Sequence, residues 1–280
     1  MGCQDGGCGG AAAMKVLTWQ EFNRDPPQEG LAATVGVFDG LHMGHQALIA
    51  TVKQEKPHLF PCVITFRENP KKFLHPSSYR GSLLTIEQKL SAIQSEGIEY
   101  CVLIDFSDNF ATLAGREFLA ALYNANVRFV AVGENFQFGY KLDTDAAKLE
   151  ALSGEIGMRS CSVKNVMYRC HPVSSSRVRH AVLENRLREA EEMLGRPYQI
   201  VARRERRGEH DMRELFVPED DLLVPPDGEY DVFVRDDETI EQTKVNVFHR
   251  HIALGLRMQS ERIRLAFVDK ATQKENLVWL

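Results

Sequence analysis

Short apolar segments alternate with segments of helical spacing over the first two thirds of the chain, and this alternation restricts the fold more than any other feature. The strand-like segments are 32–38, 62–66, 100–106, 128–132 and 161–167. The segments of helical period are 45–53, 85–96, 116–123 and 146–153. Alternation at this spacing predicts an α/β fold, a Rossmann-like parallel sheet with helices on both faces.

The pattern changes after Pro197. A longer helix is predicted over 177–194, because serines precede it as N-cap residues and Gly195 follows it. Short alternating segments then occur at 230–234, 244–248, 252–256 and 263–267. They predict a small antiparallel, barrel-like β domain. We therefore expect a disordered lead-in at 1–13, an α/β domain at 14–198 and a β domain at 199–280.

Charge and composition exclude several kinds of partner. The net charge is −5 at pH 7, so the chain lacks the broad basic surface that nucleic-acid binding needs. It contains no apolar run of about 18 residues, the length of a membrane-spanning helix. The six cysteines form no CxxC pair, which favours a reducing compartment. These features predict a cytoplasmic protein that acts on small molecules, with no nucleic-acid or membrane partner.

The segment 38–45, FDGLHMGH, lies where the first strand meets the first helix. Its glycines let the backbone approach a phosphate, and the helix N-terminus offers unpaired N–H groups. His42 and His45 can donate to the same bound oxygens, as transfer of an adenylyl group from ATP to a phosphate requires. The alternative is a solvated histidine pair at a helix start. The apolar strand and tight turn before the pair favour the functional interpretation.

A second motif, SSSRVR at 174–179, opens the predicted helix 177–194. Hydroxyl and amide groups at a helix N-terminus, together with Arg177 and Arg179, can bind a polyphosphate. The alternative is an N-cap followed by surface arginines. The presence of the SSSRVR motif in the same chain as the histidine motif favours polyphosphate binding.

A third motif, GENFQFG at 133–139, follows the fourth predicted strand and borders the same edge of the sheet. Asn135 can hydrogen-bond a ring or a phosphate, and Phe136 and Phe138 can line an aromatic ligand. The alternative for these rings is core packing, and Phe66, after the second strand, has the same two interpretations.

Together these motifs resemble the bacterial FAD synthetase family, specifically the FMN adenylyltransferase module of the bifunctional riboflavin kinase/FMN adenylyltransferase. The similarity runs from about residue 31 to residue 198 and also includes TF at 65–66, Lys89, FSDNFATLAGREF at 106–118 and LGRPY at 194–198. The resemblance implies an FAD synthase, a nucleotidyltransferase that moves the AMP moiety of ATP to FMN and releases pyrophosphate. It also implies Mg²⁺ as cofactor.

The resemblance further implies roles for individual residues. His42 and His45 would be catalytic and would stabilise the ATP phosphates. The other ATP-binding residues would be Gly36, Phe38, Asp39, Gly44, Ser175, Ser176 and Arg179. The FMN-binding residues would be Asn135, Phe66 and Phe136. No protein side chain is predicted as a metal ligand.

The chain departs from the family pattern at two places. After Phe66 the family usually has Pro-His-Pro, whereas this chain has RENP at 67–70. This leaves open an adenylyl- or cytidylyltransferase that acts on another phosphorylated acceptor. The segment 200–217 lacks the Gly-x-Pro-Thr-Ala-Asn sequence of riboflavin kinases, so we expect a degenerate kinase-like domain without kinase activity. A non-catalytic flavin-binding sensor is the remaining alternative, and the intact histidine and serine motifs disfavour it.

Overall fold

The computed structural model describes residues 13–106, 108–205, 214–237, 239–268 and 277–280. The predicted lead-in at 1–13 therefore lies, except for Ala13, outside the described residues. Within these ranges, no helix combines the length and apolar character needed to cross a bilayer.

The first unit is built on a six-stranded parallel sheet in the order β1-β4-β3-β2-β5-β8. Its strands are β1 (Lys15–Thr18), β2 (Leu31–Val35), β3 (Phe60–Phe66), β4 (Tyr100–Ile104), β5 (Val127–Gly133) and β8 (Arg159–Val163). Two short strands, β6 (Gln137–Phe138) and β7 (Thr144–Asp145), pair with each other outside it. The α/β fold class predicted from the sequence is confirmed.

Helices cover both faces of this sheet. Successive side chains of a strand point to opposite faces, so each strand contributes to two cores. In β2, Ala33 packs in the core of one face and Ala32 in the core of the other. The first face is covered by α1 (Trp19–Arg24), α6 (Gly115–Asn124) and α7 (Ala146–Glu155). The second is covered by α2 (Met43–Lys53) and α4 (Ile86–Ser95). The connections contain the short helices α3 (Lys71–Leu74) and α5 (Asp108–Ala111) and a 3₁₀ turn at Tyr140–Leu142.

The single helix predicted over 177–194 is wrong, because the structure has two helices there. They are α8 (Ser175–Leu183) and α9 (Leu187–Leu194). Asn185 between them has a φ of 56°, a left-handed conformation that asparagine tolerates better than most residues. The Arg186 N–H donates to the Ala181 carbonyl at 2.7 Å and closes the turn. The sequence has no glycine or proline at this break, so the usual stop signals are missing.

The second unit is a closed antiparallel barrel of six strands, which confirms the predicted barrel-like domain. Its strands are β11 (Tyr198–Arg204), β12 (Glu214–Pro218), β13 (Gly228–Arg235), β14 (Ile240–Phe248), β15 (His251–Leu254) and β16 (Arg262–Phe267). A small hairpin of β9 (Met167–Tyr168) and β10 (His171–Pro172) precedes α8.

One apolar core joins the barrel to the two helices before it. Val182 of α8 and Met193 of α9 belong to the same cluster as Ile200 and Phe216 of the barrel. The boundary between 198 and 199 therefore separates elements that share a core, and it remains a prediction from the sequence.

Candidate active site

The connection from β2 to α2 places the histidine motif at the carboxyl edge of the sheet. Phe38 has a φ of 50° and Leu41 a φ of 42°, although neither is glycine and both are buried. Gly40 has a φ of 88°, and a Cβ there would lie 2.8 Å from the Leu83 side chain. Left-handed backbone at a non-glycine residue costs about 1–3 kcal/mol. Surrounding contacts must therefore hold this corner in shape.

The two imidazoles of the motif stack on each other. Their centroids are 3.7 Å apart at an interplanar angle of 17°, and the Phe38 ring lies 4.9 Å from that of His45. A Cβ on Gly44 would lie 3.2 Å from Nδ1 of His42, so a larger residue at this position would crowd the pair. His42 occupies the N-cap position of α2 without a side-chain capping bond, and His45 lies in the first turn of this helix.

Both imidazoles are neutral at pH 7. Burial lowers the pKa of His42 to about 4 and that of His45 well below its ordinary value. The positive charges of Arg196 and Arg179 lower the pKa of His42 further. The Nδ1 atoms of both rings are buried and have no hydrogen-bond partner among the described residues. Each neutral ring can still donate one N–H and accept at its other nitrogen.

Asp39 brings the histidine and serine motifs together. Its Oδ1 accepts from the Leu83 N–H at 2.8 Å, and its Oδ2 accepts from the guanidinium of Arg179. The Ser175 hydroxyl donates to the Asp39 carbonyl at 2.7 Å. Asp39 and Arg179 form a buried ion pair, with only 3% and 9% of their surfaces exposed. The two motifs therefore share one edge of the sheet.

The residues of the serine motif point in different directions. Ser174 caps α8 by accepting from the Arg177 N–H at 3.3 Å, Ser175 is half-buried and Ser176 is exposed. Arg177 donates to the carbonyls of His171 and Pro172, away from the corner. Arg179 faces the corner.

A buried lysine lies beside the corner. Lys89 of α4 donates to the Phe66 carbonyl at 2.9 Å, and burial lowers the pKa of its ammonium group while the Asp39 charge opposes that shift. Its charge in turn lowers the pKa of His45. The sequence analysis noted Lys89 only as part of the family pattern. A lysine among the buried positions of a helix was the signal that could have marked it.

Aromatic rings gather after β3 and β4. The Phe66 ring lies 6.0 Å from that of Phe106 and 5.7 Å from that of Phe110. Phe73 stacks on Phe106 at 6.2 Å and remains 49% exposed. We call Phe66, Phe73, Phe106 and Phe110 the aromatic group. Through Phe66 it adjoins Lys89 and so the histidine corner.

The third predicted motif lies farther along the edge, after β5. Asn135 is exposed, and the Phe136 ring stacks on that of Phe138 at 5.3 Å. No contact described between residues 13 and 205 links Asn135 or Phe136 to the histidine pair. Gly36 lies next to the Phe38 ring, because a Cβ added at this position would be 3.2 Å from that side chain.

A family model and two relatives of similar sequence point to the same family. The family model described as FAD synthetase matches residues 24–177. The bifunctional riboflavin kinase/FMN adenylyltransferase of Escherichia coli strain K12 is 32% identical over 194 residues, 68% of this chain and 62% of the relative. The protein of that name from Buchnera aphidicola subsp. Schizaphis graminum is 29% identical over 177 residues, 61% of this chain and 57% of the relative. This chain therefore spans less than two thirds of these relatives.

A solved structure shows the same fold over both units. A Streptococcus pneumoniae protein described as a macrolide-efflux protein superposes with a TM-score of 0.79. The superposition covers 91% of this chain and 90% of that one at 24% sequence identity. This similarity bears on the arrangement of the sheet and the barrel only.

Proposed function

The chain belongs to the FAD synthetase family, and on that premise we propose that it transfers the AMP moiety of ATP to FMN, giving FAD and pyrophosphate. The observation that carries the proposal is the stacked His42–His45 pair, held against the N-terminus of α8 by the Ser175–Asp39 hydrogen bond. Two helix N-termini at one edge of a sheet offer backbone and hydroxyl donors to a polyphosphate.

The reaction needs alignment and charge stabilisation. A phosphate oxygen of FMN forms a bond to the α-phosphorus of ATP, and the bond from that phosphorus to the pyrophosphate oxygen breaks. We assign His42 and His45 as catalytic donors to the oxygens on which charge accumulates. Because burial keeps both imidazoles neutral at pH 7, they act through N–H groups held in place.

The other predicted nucleotide-binding residues have two roles in this proposal. Gly36, Phe38 and Asp39 shape the pocket, because they hold the corner in its left-handed path. Gly44, Ser175 and Ser176 approach the phosphates. Arg179 donates through Nε to the Gly81 carbonyl at 2.8 Å and through Nη2 to Asp39, and we assign its remaining N–H groups to the polyphosphate.

Mg²⁺ neutralises charge on the phosphates when it is bound, and it commonly enters protein sites together with them. The described ranges contain no group of three or more side chains suited to hold a metal ion. We propose that the cation is held mainly by the nucleotide.

The aromatic group supports a flat, aromatic acceptor. Its exposed member, Phe73, and its inner member, Phe66, offer ring faces and edges next to the corner. We propose that the isoalloxazine of FMN packs here, and that Asn135 and Phe136 contact the flavin from the far side of the same edge.

A second candidate is nucleotidyl transfer to another phosphorylated acceptor. It is favoured by Glu68 and Asn69, which stand where the family usually has Pro-His. Glu68 pairs with Lys72 at 3.0 Å, and Asn69 is buried with its amide 3.4 Å from Asp39. Asn69 stands in the place of the histidine, and it uses its amide nitrogen toward Asp39 and its amide oxygen toward the Lys71 N–H.

We also propose that the barrel does not phosphorylate riboflavin. The support is the sequence over 200–217, which lacks the Gly-x-Pro-Thr-Ala-Asn segment. Part of this stretch, 206–213, lies outside the described residues.

A product assay tests the proposed FAD synthesis and the proposed lack of kinase activity together. Purified full chain is incubated with Mg²⁺ and ATP plus FMN, ATP plus riboflavin, or CTP plus FMN, and flavins and pyrophosphate are separated and quantified. We expect FAD and pyrophosphate only from ATP plus FMN. FMN formed from riboflavin would contradict the absence of kinase activity. Bound flavin released on denaturation, without any turnover, would support a sensor instead.

A further inference from the structure

Arg196 is a buried cation whose described partners are carbonyl oxygens. Only 8% of its surface is exposed. Its guanidinium donates to the carbonyls of Gly40 at 2.7 Å, Leu194 at 3.2 Å and Leu41 at 3.5 Å. Burial lowers its pKa to about 10, so it remains charged at pH 7. The carbonyl oxygens replace the hydration that burial removes.

Gln46 binds two of the same carbonyls. Its side-chain amide donates to Leu41 at 3.1 Å and to Leu194 at 3.2 Å. Gly40 and Leu41 directly precede His42, and Gln46 directly follows His45. We call Arg196, Gln46 and these three carbonyls the Arg196 cluster. It fixes both ends of the histidine motif to the end of α9.

The Arg196 cluster also lies at the start of the barrel. Tyr198, two residues after Arg196, begins β11, and its buried hydroxyl donates to the Leu223 carbonyl at 2.7 Å. The Leu223 N–H donates back to the Ser82 carbonyl at 2.8 Å, beside Leu83, which binds Asp39. The barrel is therefore connected to the corner in two ways, through Arg196 to Gly40 and through Leu223, Ser82 and Leu83 to Asp39.

We propose that Arg196 is a positioning residue for adenylyl transfer and that the barrel serves the reaction by anchoring it. The proposal rests on the proposed function. The left-handed path through Gly40 and Leu41 prevents their carbonyls from joining a regular ladder, and Arg196 gives both a fixed partner. Since displacement of a catalytic group by about 1 Å can lower a rate about 10²-fold, a loosened turn misplaces His42.

The alternative is that Arg196 only stabilises the fold. A purely structural residue lowers the amount of folded enzyme, whereas a positioning residue lowers kcat of the folded enzyme. Chemical rescue also separates them, because a soluble guanidinium ion can reoccupy the space left by a truncated arginine and restore the bonds to the carbonyls.

The experiment uses the full chain with Arg196→Ala, Arg196→Lys and Gln46→Met. Arg188→Ala is the matched control, because that side chain is 79% exposed. We expect kcat for FAD formation to fall at least about 10-fold in Arg196→Ala, while KM for ATP stays within about twofold, as for a misplaced catalytic group. Millimolar guanidinium is expected to restore part of kcat in Arg196→Ala, and KCl of equal ionic strength is not. Gln46→Met is expected to lose several-fold.

Thermal melting defines the folded fraction for every variant. Wild-type kcat in folded Arg196→Ala, or a loss without rescue that follows the unfolded fraction, overturns the positioning role. If Arg196→Ala does not fold, wild-type kcat in both Arg196→Lys and Gln46→Met overturns it equally. Absence of FAD from the wild-type chain overturns the proposed function, and the positioning role with it. FAD from wild type with unchanged kcat in the folded variants overturns the positioning role alone.

Discussion

In the corner between β2 and α2, the residues with positive φ are buried, whereas in the barrel turn between β14 and β15 they are exposed. Phe38 and Leu41 belong to the first kind, and His249 and Arg250 to the second. A two-residue turn with both φ values positive matches the twist of antiparallel strands, so the pairing of Phe248 with His251 supports this turn. The His249 N–H adds one hydrogen bond to Oδ1 of Asp227 at 2.9 Å. The corner has no such ladder and depends on contacts from distant parts of the chain.

The two regions also differ in their buried groups. The barrel interior is filled with apolar side chains such as Val232, Ile263 and Leu265. The corner buries an ion pair, Asp39–Arg179, and two imidazole nitrogens that have no partner in the part of the chain that the structure describes. Buried polar groups without partners destabilise a fold. The corner therefore contains buried polar groups that lower stability, whereas the barrel interior contributes stability through regular apolar packing.

The largest effect is expected from breaking the corner's ion pair. Asp39→Asn leaves the guanidinium of Arg179 buried without a counter-charge, and we expect a loss of about 4 kcal/mol in the free energy of unfolding. The exposed Glu68–Lys72 pair provides the control, where Glu68→Gln should cost less than about 1 kcal/mol. Urea denaturation measures both. Equal losses would remove the distinction between the buried and the exposed pair.

The second prediction concerns pH. His42 has a pKa of about 4 in the folded chain against an ordinary value of 6.5, so below pH 6.5 the unfolded chain binds a proton that the folded chain does not. Stability should therefore fall as pH drops from 6.5 to 4, by up to about 3 kcal/mol from this residue. The free energy of unfolding, measured by urea denaturation at several pH values in this range, should fall less steeply with decreasing pH for His42→Asn than for wild type. The same pH dependence of the free energy of unfolding in wild type and His42→Asn would refute the assignment.

The third prediction concerns the donors themselves. His42→Ala or His45→Ala should lower kcat for FAD formation about 10²-fold, or about 2.7 kcal/mol in activation free energy, because each removes one donor to the transition state. Steady-state product formation measures this, with the exposed His249→Ala as control. A folded His42→Ala or His45→Ala protein with full kcat would show that the mutated ring is not a catalytic donor.

The smallest effect is expected in the barrel. Ile263 is fully buried, and Ile263→Val removes one methylene group, which should cost about 1 kcal/mol of stability. We expect kcat of the folded enzyme to stay at the wild-type value, because Ile263 lies in the barrel ladder opposite Ala202 of β11. A change in kcat larger than the change in folded fraction would show that the barrel core is coupled to the corner.

The sequence predicts the sheet and the place of the corner well. Alternating strands and helices require a parallel sheet, and the carboxyl ends of parallel strands meet at one edge. His42, Phe66 and Ser175 follow or face those ends in the structure as well. The edge strand β1 and the helix α1 were missed, because Lys15–Thr18 is too short to show a period.

The partners of the arginines could not be predicted. Arg179 and Asp39 are 140 residues apart, and Arg196 and Gly40 are 156 apart. A local pattern describes how residues share a strand or a helix face, and it carries no information about which distant carbonyl or carboxylate a guanidinium meets. The sequence therefore indicates that Arg179 can bind a polyphosphate, but not that Arg179 pairs with Asp39.

The core shared by α8, α9 and the barrel has a consequence for dissecting the molecule. A fragment ending at residue 198 would keep the histidine and serine motifs but would leave Val182 and Met193 facing water, since their neighbours Ile200 and Phe216 would be gone. Such a fragment would be prone to aggregate through that apolar face. We therefore expect the α/β unit to need the barrel in order to stay in solution.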